Sequence, residues 1–145
     1  MENLDHTLRR PRTGVEWTAY HEIRRKVLFE NRGDVEYVEN HPDEFEQNHY
    51  PMILVENNMT IGVIRIDIDD HIAWFRRVAI REDLQRCGHG RCLLRLAESF
   101  ARDQGCDEVR SNVAADAVEF YERCGYSRDV VGNEFESVPM RKELT

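Results

Sequence analysis

Hydrophobic positions recur at two periods along this chain, and the switches between them outline its elements. Thr13-Gly14-Val15-Glu16 reads as a capping box, in which a hydroxyl and a carboxylate satisfy orphan N–H groups at a helix start. Trp17, Tyr20, Ile23, Val27 and Leu28 follow at helical spacing, so a first amphipathic helix is predicted to about Phe29. His41-Pro42-Asp43 suggests a short second helix. The period then falls to two. Met52 to Val55 is a short apolar strand and Asn57-Asn58 a natural hairpin turn. Thr60 to Ile68 returns as a second strand, with β-branched residues in Ile64-Arg65-Ile66-Asp67-Ile68. Asp69-Asp70 turns the chain into a third, His71 to Ile80. Three consecutive antiparallel strands are expected.

After Ile80 the helical period resumes. A polar loop, Gln85-Arg86-Cys87-Gly88-His89-Gly90, leads into a helix reaching about Gln104, with Leu93, Leu96, Ala97, Phe100 and Ala101 as its apolar stripe and Gly105 as its stop. Glu108 to Val113 reads as a strand, Ala114 to Cys124 as a helix stopped by Gly125, and Tyr126–Val131 and Val138–Arg141 as two closing strands. A strand–helix–strand crossover after an antiparallel meander gives an α/β (α+β) fold, a mixed and mostly antiparallel sheet with helices on both faces. Nothing reads as a linker or repeat, so residues 1–145 are expected to form one domain.

Composition narrows the class. Hydrophobic residues are 41% and charged residues 33%, the balance of a soluble globular protein. No apolar run approaches the roughly 18–20 residues that span a bilayer. The start, Met1-Glu2-Asn3-Leu4-Asp5, lacks the basic and apolar stretches of a signal peptide, so a cytoplasmic location is expected. Cys87, Cys92, Cys106 and Cys124 form no CxxC pair and have no histidine at zinc-finger spacing, so reduced thiols and no metal are expected.

The net charge of −8 argues against nucleic acid as a partner. Its distribution is uneven. Glu30, Asp34, Glu36, Glu39, Asp43, Glu44 and Glu46 face a single base, Arg32, in one stretch. Arg76, Arg77, Arg81, Arg86, Arg91 and Arg95 outnumber Glu82 and Asp83 in another. Solvated faces would account for both runs. An enzyme holding an anionic ligand near the arginines and a cationic one near the acids would account for them as well.

The loop before Arg91 carries the candidate chemistry. A glycine-rich turn running into a helix gathers unpaired N–H groups and the positive end of the helix dipole. Gly88 and Gly90 remove Cβ obstruction, so phosphate or pyrophosphate is the natural guest, although an ordinary strand-to-helix turn has the same look. No Lys-Ser/Thr follows the glycines, which disfavours a nucleoside triphosphatase. The third glycine of a dinucleotide fold is missing too.

These residues resemble a known family. Gln85-x-x-Gly88-x-Gly90 is similar to the Q/R-x-x-G-x-G/A signature of the GNAT acetyltransferases, and Val78-Ala79-Ile80 stands where they carry the preceding strand. Ala117-x-x-Phe120-Tyr121-x-x-x-Gly125-Tyr126 looks like their A-x-x-F-Y-x-x-x-G-F segment, and the tail from Gly132 to Lys142 like their closing strands. The resemblance implies an acetyl-CoA-dependent N-acetyltransferase acting on an amine of a small molecule or peptide, as monomer or homodimer, without metal, nucleic acid or membrane. It places the pantetheine arm beside Val78 and Ile80 and the pyrophosphate on the amides of the loop residues Gln85, Arg86, Cys87, Gly88, His89, Gly90 and Arg91. The side chain of His89 reads as loop surface.

Aminolysis of a thioester needs a deprotonated amine, a stabilised oxyanion and a proton for the departing thiolate. Tyr121 aligns with the family tyrosine that donates that proton; a core aromatic beside Phe120 is its other reading. A backbone N–H of the Val78–Ile80 strand, Ile80's, would polarise the carbonyl. Trp74 and Arg76 stand where some relatives place a basic glutamate, so Glu30, Glu36 and Asp67 are the alternatives for the base. Ala114 replaces an asparagine that contacts the coenzyme in many relatives, with Asn112 as a possible compensation. The missing base also leaves open a coenzyme-binding sensor or partner module whose catalysis has lapsed.

Overall fold

The computed structural model describes residues 6–29, 46–129 and 137–144. The helix expected at His41, the acidic run before Glu46, the last two residues of the strand expected to Val131 and residues 132–136 of the tail lie outside them. The capping box forms at Thr13, whose hydroxyl accepts from the Glu16 amide at 3.1 Å to start α1 (Gly14–Ile23). The Glu16 carboxylate reaches further back than the motif requires. It accepts from the Arg12 amide at 2.7 Å and from both terminal nitrogens of Arg9 at 2.9 and 2.6 Å. Beyond Ile23 the chain stays helical in wider π-type turns over Arg24–Phe29.

Arg9 ends β1 (His6–Arg9), a strand with no hydrophobic alternation to announce it. Pairing alone defines it, through contacts such as Leu8 opposite Leu54 on β2 (His49–Glu56). Asn57 and Asn58 then both take left-handed backbone angles, φ 52° and 66°, as a two-residue type I′ hairpin turn demands. β3 (Met59–Asp69) and β4 (Ile72–Ile80) complete the antiparallel meander. α2 (His89–Asp103) crosses back to β5 (Glu108–Ala114), which lies parallel to β4. A single tight turn over Ala115–Ala117 precedes α3 (Val118–Arg123), shorter than expected. β6 (Ser127–Arg128) and β7 (Ser137–Glu143) close the described chain. The described strands form one sheet in the order β1-β2-β3-β4-β5-β7-β6.

Alternation along β2 divides the core in two. Met52 and Leu54 join Ile64, Ile66 and Phe75 beneath Leu93, Leu94, Ala97 and Ala101 of α2 and Val118 and Tyr121 of α3. Ile53 and Val55 point the other way, to Tyr20 and Ile23 of α1. Leu94 takes a central place in the α2 stripe, whereas Leu96 and Phe100 are only partly buried.

β4 carries one extra residue. Arg76 pairs with Arg65, but Ala79, three residues on, pairs with Val63, only two residues back. The surplus is absorbed near Arg77, whose φ is 57°. Such a bulge exchanges the two edges of the strand beyond it.

Candidate active site

β4 and β5 pair only at Ile72–Glu108, Ala73–Val109 and Trp74–Arg110, although both strands run further. Beyond that point they part. A cleft of about 210 Å³ opens there, lined by Leu28, Phe75, Val78, Asn112, Ala114 and Tyr121 among others. The bulge decides what β4 presents to it. The Arg81 amide donates to Ile61 O at 2.9 Å, turning Arg81 and Ala79 towards β3. Alternation then points the backbone groups of Val78 and Ile80 to the opposite edge, facing the gap.

The glycine loop lies at the far end of this edge. A single turn over Glu82–Leu84 follows Arg81, and the Gln85 side-chain Nε2 donates to Ile80 O at 3.1 Å, tying the loop to its strand. Arg86 and Gly88 both adopt left-handed backbone, φ 66° and 89°. Gly88 is the N-cap of α2, and a Cβ built there would meet nothing within 4 Å. Gly90 is constrained differently: a Cβ there would lie 3.0 Å from the Phe120 ring. Its small size serves packing between α2 and α3 rather than the approach of a ligand. The N–H groups that open α2 have no intrahelical carbonyl to bond, so an anion fits against this end.

Tyr121 walls the cleft from α3 and is 6% exposed. Burial pushes its hydroxyl well above the usual phenol range, opposed in part by a hydrogen bond with Ser111. Ser111 in turn donates to Phe75 O at 2.9 Å, on the edge of β4 where the strands divide. Ser111 escaped the sequence reading. Its signal is a hydroxyl at an inward position of β5, between the buried Val109 and Val113.

The model of the acetyltransferase (GNAT) family matches residues 17–126. The chain belongs to the GNAT acetyltransferase family. Solved structures agree on the fold. A Lactobacillus plantarum protein, described only provisionally as an N-acetyltransferase, is 26% identical, with a TM-score of 0.80 over 97% of this chain and 99% of that one. The ribosomal-protein-S18-alanine N-acetyltransferase of Escherichia coli is 16% identical, with a TM-score of 0.75 over 97% and 94%. The PaiA N-acetyltransferase of Thermoplasma acidophilum, solved in complex with coenzyme A, is 15% identical, with a TM-score of 0.73 over 95% and 98%.

Within this GNAT domain the remaining candidates are placed as follows. Glu30 and Glu36 lie outside the described residues. Asp67 is buried and already engaged, accepting from Arg65 at 2.8 Å through both oxygens and from Arg76 at 3.0 Å. Arg81 is likewise paired, with Asp83 at 2.8 Å. The basic run is therefore not one electropositive face, and it is Arg86 and Arg91 that stand exposed beside the loop. Asn112 is exposed at the cleft next to Ala114, as a compensating polar group would be. His89 departs from expectation: it is half-buried, with its Nδ1 3.2 Å from His6 Nε2. All four cysteines are free. No described helix is long and apolar enough to cross a membrane.

Proposed function

We propose that this GNAT protein uses acetyl-CoA to acetylate an amine of a small molecule or peptide. The observation that carries the reading is the parting of β4 from β5, which opens a cleft lined by Val78 and Tyr121, with the Ile80 N–H further along the same edge towards the glycine loop. An extended pantetheine arm has the hydrogen-bonding pattern of such an edge, and its pyrophosphate has that of the Arg86–Arg91 amides. Arg86 and Arg91 supply positive charge there, and Asn112 a polar contact where Ala114 gives none.

In the proposed reaction the free amine attacks the thioester carbonyl, the tetrahedral oxyanion collapses, and the carbon–sulfur bond breaks. Val78 lines the cleft with Tyr121, so its N–H is better placed than that of Ile80 to polarise the carbonyl. Tyr121 gives its proton to the departing thiolate, leaving an amide and free coenzyme. An ammonium of pKa about 10.4, for a lysine-like group, gives up one proton before attack, and the second proton that nitrogen loses as the amide forms restores the Tyr121 phenol. Asp67, with its oxygens committed to guanidinium groups, is a poor choice for the base that removes it.

The test is thermal. Acetyl-CoA should raise the melting temperature, as any ligand binding only the folded state does, and pantetheine without phosphates should do so far less. Equal stabilisation by pantetheine would remove the pyrophosphate assignment. A panel of amines then reads turnover, and binding without turnover on any amine would favour a coenzyme-binding module instead.

A further inference from the structure

His6 and His89 are 83 positions apart, yet their rings meet. The pairing of β1 with β2 sets His6 directly opposite Glu56. α2 begins at His89 and packs against β1. His6 Nε2 consequently lies 3.2 Å from His89 Nδ1 and 3.4 Å from Glu56 Oε2, and the three residues bring one ligand atom each within 4.8 Å of the others. The His6 side chain is 7% exposed and that of Glu56 29%.

Protons alone serve this cluster badly. A neutral His6 carries one proton. Placed on Nε2, it can satisfy His89 or Glu56 but not both. Placed on Nδ1, it leaves the Nε2 lone pair facing a carboxylate, a repulsion that a cation between them would relieve. Two imidazole nitrogens and a carboxylate oxygen converging on one point are instead what a cation requires. Ligand atoms about 2.0–2.1 Å from a tetrahedral zinc ion stand about 3.3 Å apart, close to both short separations here.

We propose that His6 Nε2, Glu56 Oε2 and His89 Nδ1 bind a transition-metal ion of the zinc class, with the fourth position open to water. Two imidazoles and one carboxylate form a recurring zinc ligand set, and they favour zinc, cobalt or nickel over magnesium or calcium. The ion ties the edge strand β1 and the end of β2 to the first turn of α2. No zinc-like spacing exists in the sequence because each ligand comes from a different element. The proposal is independent of the acetyl-transfer reading, since it uses the side chain of His89 and not its amide.

The experiment uses untagged protein stripped with a chelator, and titrates it with zinc by calorimetry and with cobalt by visible absorption. One zinc ion per chain is expected, together with the intense visible bands of four-coordinate cobalt, a melting temperature that rises with zinc, and no response to magnesium. His6→Asn and His89→Asn should each weaken zinc binding at least tenfold. Glu56→Gln, at the more exposed ligand, should do the same if either histidine variant fails to fold. Cys87→Ser should leave zinc binding intact, separating this cluster from the nearby exposed thiol. The proposal is overturned if the wild-type protein binds no zinc at millimolar concentration, if binding survives the histidine variants, or if it disappears in Cys87→Ser.

Discussion

Tyr121 is nearly inaccessible, and Ser111, which donates to Phe75 O, lies beside its hydroxyl. Burial raises its pKa, so the phenol stays protonated across the range in which an acetyltransferase works. Tyr121→Phe keeps the ring packed against Phe120 and Tyr126 and removes only the proton. If the hydroxyl is the general acid, kcat should fall by about 10²–10⁴ with little change in acetyl-CoA affinity. The wild-type rate should also show no loss on the alkaline side attributable to a phenol of ordinary pKa, about 10. If the hydroxyl only completes the bond to Ser111, the variant should lose about 1 kcal/mol of stability and retain normal turnover. Turnover and a denaturation curve on the same preparation decide between them.

The glycine loop works as an element, and its two glycines answer different demands. Gly88 sits in left-handed backbone with open space where a side chain would go, whereas Gly90 lies against the Phe120 ring. Gly88→Val therefore strains the backbone and puts a β-branched side chain on the face where phosphate would approach, its Cβ meeting no protein atom within 4 Å. Acetyl-CoA affinity is expected to fall at least tenfold, about 1.4 kcal/mol, while the far-ultraviolet dichroism of the fold persists. Normal coenzyme affinity in a folded Gly88→Val protein would reduce the loop to a turn. Gln85 belongs to the same unit, since its side chain holds the loop against Ile80 O. The motif glutamine is thus a brace for the loop.

At the scale of the molecule, the site exists because two parallel strands agree for three pairs and then separate. A bulge at Arg77 turns the Val78 and Ile80 backbone into that separation, and α3 closes one wall. Acetyl-CoA binding should therefore slow amide exchange at Val78, at Ile80 and from Arg86 to Arg91, leaving β1 and its pairing with β2 unchanged. Hydrogen exchange followed by mass spectrometry reads this directly; protection elsewhere with none from Val78 to Arg91 would refute the assigned cleft. The charge pattern is also reorganised at this scale. Arg76 and Arg81 look like part of one basic run in the sequence, but in the fold each is committed to an aspartate, Asp67 and Asp83.

What the amino-acid order determined by itself was local. The Thr13–Glu16 cap, the Asn57-Asn58 turn, the alternation of β3 and the glycine loop each depend on residues a few positions apart, and these all formed. The family resemblance was legible for the same reason, because its motifs are short and contiguous. β1 was not, since His6-Thr7-Leu8-Arg9 becomes a strand only by lying on β2. Nor were the bulge at Arg77, the bond from Ser111 to Phe75, or the burial of His89 beside His6. Periodicity and propensity act within one element. The register of one strand on another, and the contacts it creates across 83 residues, are fixed only when separate elements compete for the same buried surface.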